Sequence, residues 1–185
     1  MHVRRAFSEV ASKYANYSHI YTDASKTSES VGAAVITDHT SYSYRLPTEA
    51  SIYVGEIFAI AKALAHYRKH GEDSVFFTDS PSAIQGIQQL YPRNSLLMCI
   101  KPELGKLAEM GKRIKIIWVP SHVGIVGNET ADTLAREISS NPSSISTRYV
   151  PHEYLIHKIR QLTINTWRER WQALETTSSK QSILA

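Results

Sequence analysis

The chain of 185 residues holds a single cysteine, Cys99, so no disulfide can form within it. That excludes the stapled scaffolds of small secreted domains and fits a reducing compartment. Cys99 lies in the apolar run LLMCI and is expected to be a small core residue. Long hydrophobic runs are also missing: none approaches the roughly 20 apolar residues that a membrane span needs. The opening MHVRRAFSEV lacks the apolar centre and cleavage site of a secretory leader. The expectation is an intracellular protein of the cytoplasm or nucleus, neither secreted nor in a membrane. No internal repeat and no basic nuclear-localisation run are visible. The formal net charge is only +4, which permits nucleic-acid binding without requiring it.

What is present is an ordinary globular composition, 42% hydrophobic, long enough for one domain with short appendages. Apolar positions 3, 7, 10, 11 and 14 have helical spacing, so residues 1–16 read as an N-terminal linker helix. HIYTD (19–23) reads as a strand ending at Asp23. VGAAVIT (31–37) and YSYRL (42–46) follow, the latter alternating with period two, so three strands form an antiparallel meander. Residues 52–69 are helical, with Ile57, Ala61, Leu64 and Ala65 as the apolar stripe and Gly71 as the stop. SVFFTDS (74–80) lacks alternation, as a central parallel strand does. Ser80 and Pro81 then open a short helix. A further helix covers about 95–110, with a break near Pro102. RIKIIWVP (113–120) is the last strand, and a glycine-containing loop leads to a helix starting near Asn128. A Ser-rich linker (141–150) separates this domain, residues 17–140, from a final amphipathic helix and tail, 151–185. On that helix Trp167 and Trp171 suit either packing or, with Lys158, Arg160, Arg168 and Arg170, a nucleic-acid clamp. The fold class is α/β with a mixed sheet.

Four acids stand at the ends of these elements. Asp23 and Asp79 each close an apolar strand, at the edge where open α/β sheets bind ligands. Glu56 shares a helix face with Ile60 and Ala63, and a carboxylate there is costly to bury unless paired or metal-bound. Asp132 is expected in the first turn of its helix. No lysine or arginine is apparent in these segments to balance the acids. Oxygen-only ligands favour Mg²⁺ or Mn²⁺, and two such ions about 3.5–4 Å apart suit an in-line phosphoryl displacement.

At these residues the sequence resembles the RNase H family, most closely the RNase H domains of non-LTR (LINE-type) retrotransposon polyproteins. The matching motifs are YTDAS (21–25), GEIFAIAKAL (55–64), FFTDS (76–80) and WVPSHVGIVGNETADTLA (118–135). The last block is the most specific, since His122, Gly124, Gly127, Asn128, Glu129 and Asp132 all stand where such domains carry them. The resemblance implies an RNase H-like fold: a mixed five-stranded sheet, strands one to three antiparallel and the rest parallel, flanked by helices, with a C-terminal helical extension. It implies hydrolysis of the RNA strand of RNA–DNA hybrids, leaving 5′-phosphate and 3′-hydroxyl ends. It implies two Mg²⁺ ions, replaceable by Mn²⁺, with Asp23 shared by both. Asp132 would complete one metal site and Glu56 with Asp79 the other. His122 would assist proton transfer or product release, and Glu129 the same stage. Ser25, Ser80, Gln85, Asn128 and Glu129 would contact the hybrid, read by its ribose hydroxyls and geometry rather than its bases. A reverse transcriptase domain of the same polyprotein is the implied partner.

Two departures from cellular members stand out. IYVG precedes Glu56 where they often carry Asn-rich residues, and residues 88–105 lack a Lys/Trp-rich handle, having only Arg93 and Lys101. No polymerase precedes the domain, so the chain reads as a fragment or a repurposed copy. The alternatives are a weak or inactive hybrid-binding module derived from a retroelement, and an integrase or transposase of the same broad fold.

Overall fold

Short apolar runs bounded by turn residues become the strands, and stripes of 3.6-residue period become the helices. The computed structural model describes residues 2–70, 72–141, 147, 149 and 152–181. Helix α1 (His2–Ser12) precedes the meander β1 (Ser18–Lys26), β2 (Ser30–Thr37) and β3 (Ser41–Pro47). Then come α2 (Ile52–His70), β4 (Ser74–Thr78), α3 (Pro81–Gln88), α4 (Ser95–Glu109), β5 (Ile114–Trp118), α5 (Val126–Ser140) and α6 (His152–Gln181). The strand order is β3-β2-β1-β4-β5. β1, β2 and β3 pair antiparallel, whereas β4 runs parallel to both β1 and β5. This is the expected mixed five-stranded sheet flanked by helices.

Alternate strand residues feed two cores. On one face Ile20, Val31, Leu46 and Phe76 meet Ile57, Ile60 and Leu64 of α2 and Leu97, Ile100 and Leu107 of α4. On the other, Val75 and Phe77 join Val119 and Ile125, with Phe7 of α1 packed against them. Burying each large side chain contributes about 1.5–3 kcal/mol. All five β4 residues are buried, as the missing alternation predicts.

Several local expectations need correction. Cys99 is exposed, because the buried stripe of α4 falls on Leu96, Leu97, Ile100 and Leu107 and leaves residue 99 outside. Pro102 does not break α4. It sits on the solvent side beside exposed Met98, where water can satisfy the carbonyl that its missing N–H leaves. In α2, Ala65 is exposed, and the buried face is Val54, Ile57, Phe58, Ile60, Ala63 and Leu64. β1 continues past Asp23 to Lys26, since β2 still pairs there. α5 starts at Val126, so Asp132 lies in its second turn. Gly71, the expected helix stop, and Pro151 lie outside the described residues.

The expected linker 141–150 is described only at residues 141, 147 and 149. Thr147 N–H donates to Arg45 O on β3 at 2.6 Å. The Tyr149 ring lies 5.6 Å from that of Phe58, and its hydroxyl is hydrogen-bonded to Ser95 Oγ at 3.2 Å. Met1–Val150 and Pro151–Ala185 form two separate units. In the second, α6 runs to Gln181, because TTSSKQ contains no glycine or proline to stop it. Trp167 and Trp171 stack on each other at 5.5 Å and stay more than half exposed. No helix among the described residues is long and apolar enough to cross a membrane.

Candidate active site

The parallel pairing of β1 with β4 ends at Thr22 opposite Thr78. The next residues, Asp23 and Asp79, therefore stand at one level on neighbouring strands, Asp23 within β1 and Asp79 just past β4. α2 brings the third acid. Gly55 is the reason it comes close: a Cβ there would sit 2.7 Å from Val31 Cγ1 and 2.8 Å from Ala24 Cβ. Only glycine lets the helix lie this near β1 and β2, and Glu56 follows it directly. On the opposite face α5 approaches β2 at Gly32, where a Cβ would meet the Ala135 carbonyl.

Carboxylate oxygens of Asp23, Glu56 and Asp79 all lie within 4.8 Å of one another. Asp23 and Glu56 are buried, at 5% and 6% exposure. Asp23 Oδ1 accepts one backbone hydrogen bond, from Ala24 N at 2.7 Å. Glu56 Oε2 is buried with no hydrogen-bond partner. Such crowding disfavours ionisation. Burial, then the charge of Asp79, pushes the Asp23 carboxyl up to about 7. Burial, then Asp23 and Asp79, holds Glu56 well above the usual carboxylate range. Asp79 is raised by burial and restrained by a hydrogen bond from the Asn128 amide at 3.4 Å. Three converging acids with one orphaned buried oxygen fit a divalent cation, which supplies the missing positive charge.

These acids open onto a cleft of about 420 Å³ that Ser25, Lys26, Tyr53, Ser80, Ser121, His122, Asp132 and Arg136 also line. A family model described as RNase H matches residues 15–140, spanning the whole sheet and all three acids. The chain belongs to the RNase H family. A search of curated proteins returned no match.

The remaining expected site residues of this RNase H chain fall into three groups. Ser25 and Ser80 line the cleft, and Ser80 also caps α3, its Oγ accepting from Ala83 N at 3.3 Å. His122 is exposed on its loop in a left-handed conformation, φ +54°, with Nδ1 3.8 Å from Asp132 Oδ2. Asp132 lines the cleft outside the close group of three. Asn128 is buried and serves Asp79 instead of facing the cleft. Gln85 is exposed on α3 and does not line the cleft. Glu129 does not line it either; its Oε1 accepts from Gly124 N at 2.8 Å and braces the His122 loop.

The expectation that no cation balances the acids fails at Arg136, whose guanidinium pairs with Asp132 one helical turn away. The i,i+4 spacing of Asp132 and Arg136 on α5 was the available signal. Lys26 and Tyr53 carry no sequence signal for the cleft, because only the packing of α2 against β1 brings them there.

Proposed function

We propose that this RNase H domain hydrolyses the RNA strand of RNA–DNA hybrids, with two Mg²⁺ ions as cofactor and Mn²⁺ as substitute. The observation that carries the reading is the convergence of Asp23, Glu56 and Asp79 within 4.8 Å inside the matched domain. Asp23, Glu56, Asp79 and Asp132 would hold the ions. When bound, the ions neutralise charge at the scissile phosphate and lower the pKa of the attacking water.

The chain's own groups do the rest. Asn128 orients Asp79 through its amide. His122, at the cleft mouth, takes or returns a proton as the product leaves. Ser25, Ser80 and the other hydroxyls lining the cleft offer contacts to the hybrid's backbone and sugars. In this reading residues 17–140 are the nuclease domain, preceded by a helix and followed by a linker and a C-terminal helix. The motif order supports an origin in a non-LTR retrotransposon, acting beside a reverse transcriptase inside the cell.

The test is incubation of the purified chain with labelled RNA–DNA hybrid and Mg²⁺ or Mn²⁺. Single-stranded RNA, duplex RNA and duplex DNA serve as controls. Cleavage confined to the hybrid's RNA strand is expected. A folded chain that binds hybrid at low salt without cutting it would sink the claim and favour a binding module.

A further inference from the structure

The geometry points to α1 as a clamp on the loop that carries His122, with Arg4 as the positioning residue. This helix lies outside the matched stretch of residues 15–140. It is nevertheless docked: Phe7 packs edge-on against Phe77 at 5.2 Å, in the core beneath the sheet edge. That contact fixes where Arg4 stands, one turn earlier. Arg4 Nε donates to Val123 O at 2.9 Å. Its guanidinium also covers Gly124, where any Cβ would collide with Nη2, Cζ and Nε. Gly124 has φ +79°, a conformation that glycine adopts without strain.

Gly124 is held from α5 as well. Glu129 on α5 accepts from Gly124 N at 2.8 Å. Arg4 and Glu129 thus hold adjacent backbone groups, the Val123 carbonyl and the Gly124 amide. His122 is the next residue back, in a left-handed conformation that only a few per cent of non-glycine residues adopt. The clamp explains how that conformation persists on an exposed loop. It sets the ring beside Asp132, with Nδ1 at 3.8 Å. Arg4 touches neither the acids nor the cleft, so it acts through His122 alone.

The inference rests on the reading of His122 as the proton-handling group of a hybrid nuclease. Arg4→Gln is the informative variant, because it leaves Phe7 on Phe77 and so keeps α1 docked. It should lower kcat about tenfold, less than the roughly 10²-fold loss expected when the proton-handling group itself is removed. KM for hybrid and calorimetric Mn²⁺ affinity should stay unchanged. Arg4→Lys, which keeps a donor but not the flat cover over Gly124, should fall between. In a His122→Ala background Arg4→Gln should cost nothing more, because the residue it positions is gone. Amide hydrogen exchange at Gly124 should be faster in Arg4→Gln than in the wild type. An unchanged kcat, or a loss that multiplies with that of His122→Ala, would overturn the clamp. If the wild-type chain cuts no hybrid, the proposed reaction fails while exchange at Gly124 still decides the clamp: faster exchange upholds it and unchanged exchange refutes it.

Discussion

Asp23 and Asp79 stand one residue beyond the last paired rung of β1 and β4, Thr22 opposite Thr78. Both therefore stand at the same level on adjacent parallel strands, Asp23 still paired with Ala34 of β2 and Asp79 just past the end of β4. With Glu56 they form an acidic group whose carboxylate oxygens lie within 4.8 Å of one another and repel. The consequences are measurable.

Asp23→Asn should abolish hybrid cleavage, since Asp23 is the proposed shared metal ligand. His122→Ala should only slow it, by about 10²-fold, the lower range for a proton-transfer group. Steady-state kinetics on one hybrid substrate compares the two. An Asp23→Asn protein cutting at the wild-type rate would refute the assignment.

Stability without metal should fall as pH rises. The Asp23 carboxyl is lifted in the folded chain from 3.8 to about 7 by burial and by Asp79. Between those values the folded state binds more protons than the unfolded one, so unfolding becomes easier as pH increases. The direction is the same for Glu56 and Asp79, both raised. Metal-free Tm should decline from pH 5 to pH 8, more steeply than in Asp23→Asn. Mg²⁺ should restore more stability at pH 8 than at pH 5. A metal-free Tm that rises over this interval, with the same slope in both proteins, would contradict the crowding argument.

Gly55→Ala should destabilise by about 1–3 kcal/mol, the usual cost of overpacking. The new Cβ would meet Val31 and Ala24, which cannot swing aside as a long side chain would. Because Glu56 follows directly, calorimetric Mn²⁺ affinity should drop as well. Urea unfolding at pH 7 measures the first effect. Wild-type values for both would show that α2 is not held at this distance by Gly55.

Tyr149→Ala should cost about 1–2 kcal/mol through its lost contacts with Phe58 and Ser95. A chain cut after residue 140 should lose at least as much, although the family match ends there. Urea midpoints of the two proteins decide it; equal midpoints for wild type and both variants would show that Tyr149 contributes nothing.

The order of strands and helices was legible in the sequence because each element carries its own period: two in YSYRL, 3.6 in α2, none in the buried SVFFT. So were the place of Asp79 directly after β4 and of Glu56 in the early turns of α2, since strand ends and helix faces are local features, whereas β1 runs past Asp23 because β2 pairs with it there. The motif around His122 and Asp132 pointed to the family before any coordinates. Other features depended on how elements dock. The face of Cys99 follows from which side of α4 meets α2. The engagement of Asp132 by Arg136, the cover of Arg4 over Gly124 and the seat of Tyr149 on Phe58 each join residues through side-chain geometry. Except for the i,i+4 pair, these partners are far apart in the chain. Periodicity reports only which side of an element is apolar, whereas partner, distance and angle are set when two packed surfaces close on each other. The sequence alone determined what the acids are and which edge they share; tertiary packing decided how near they come, because Gly55 lets α2 carry Glu56 up to β1.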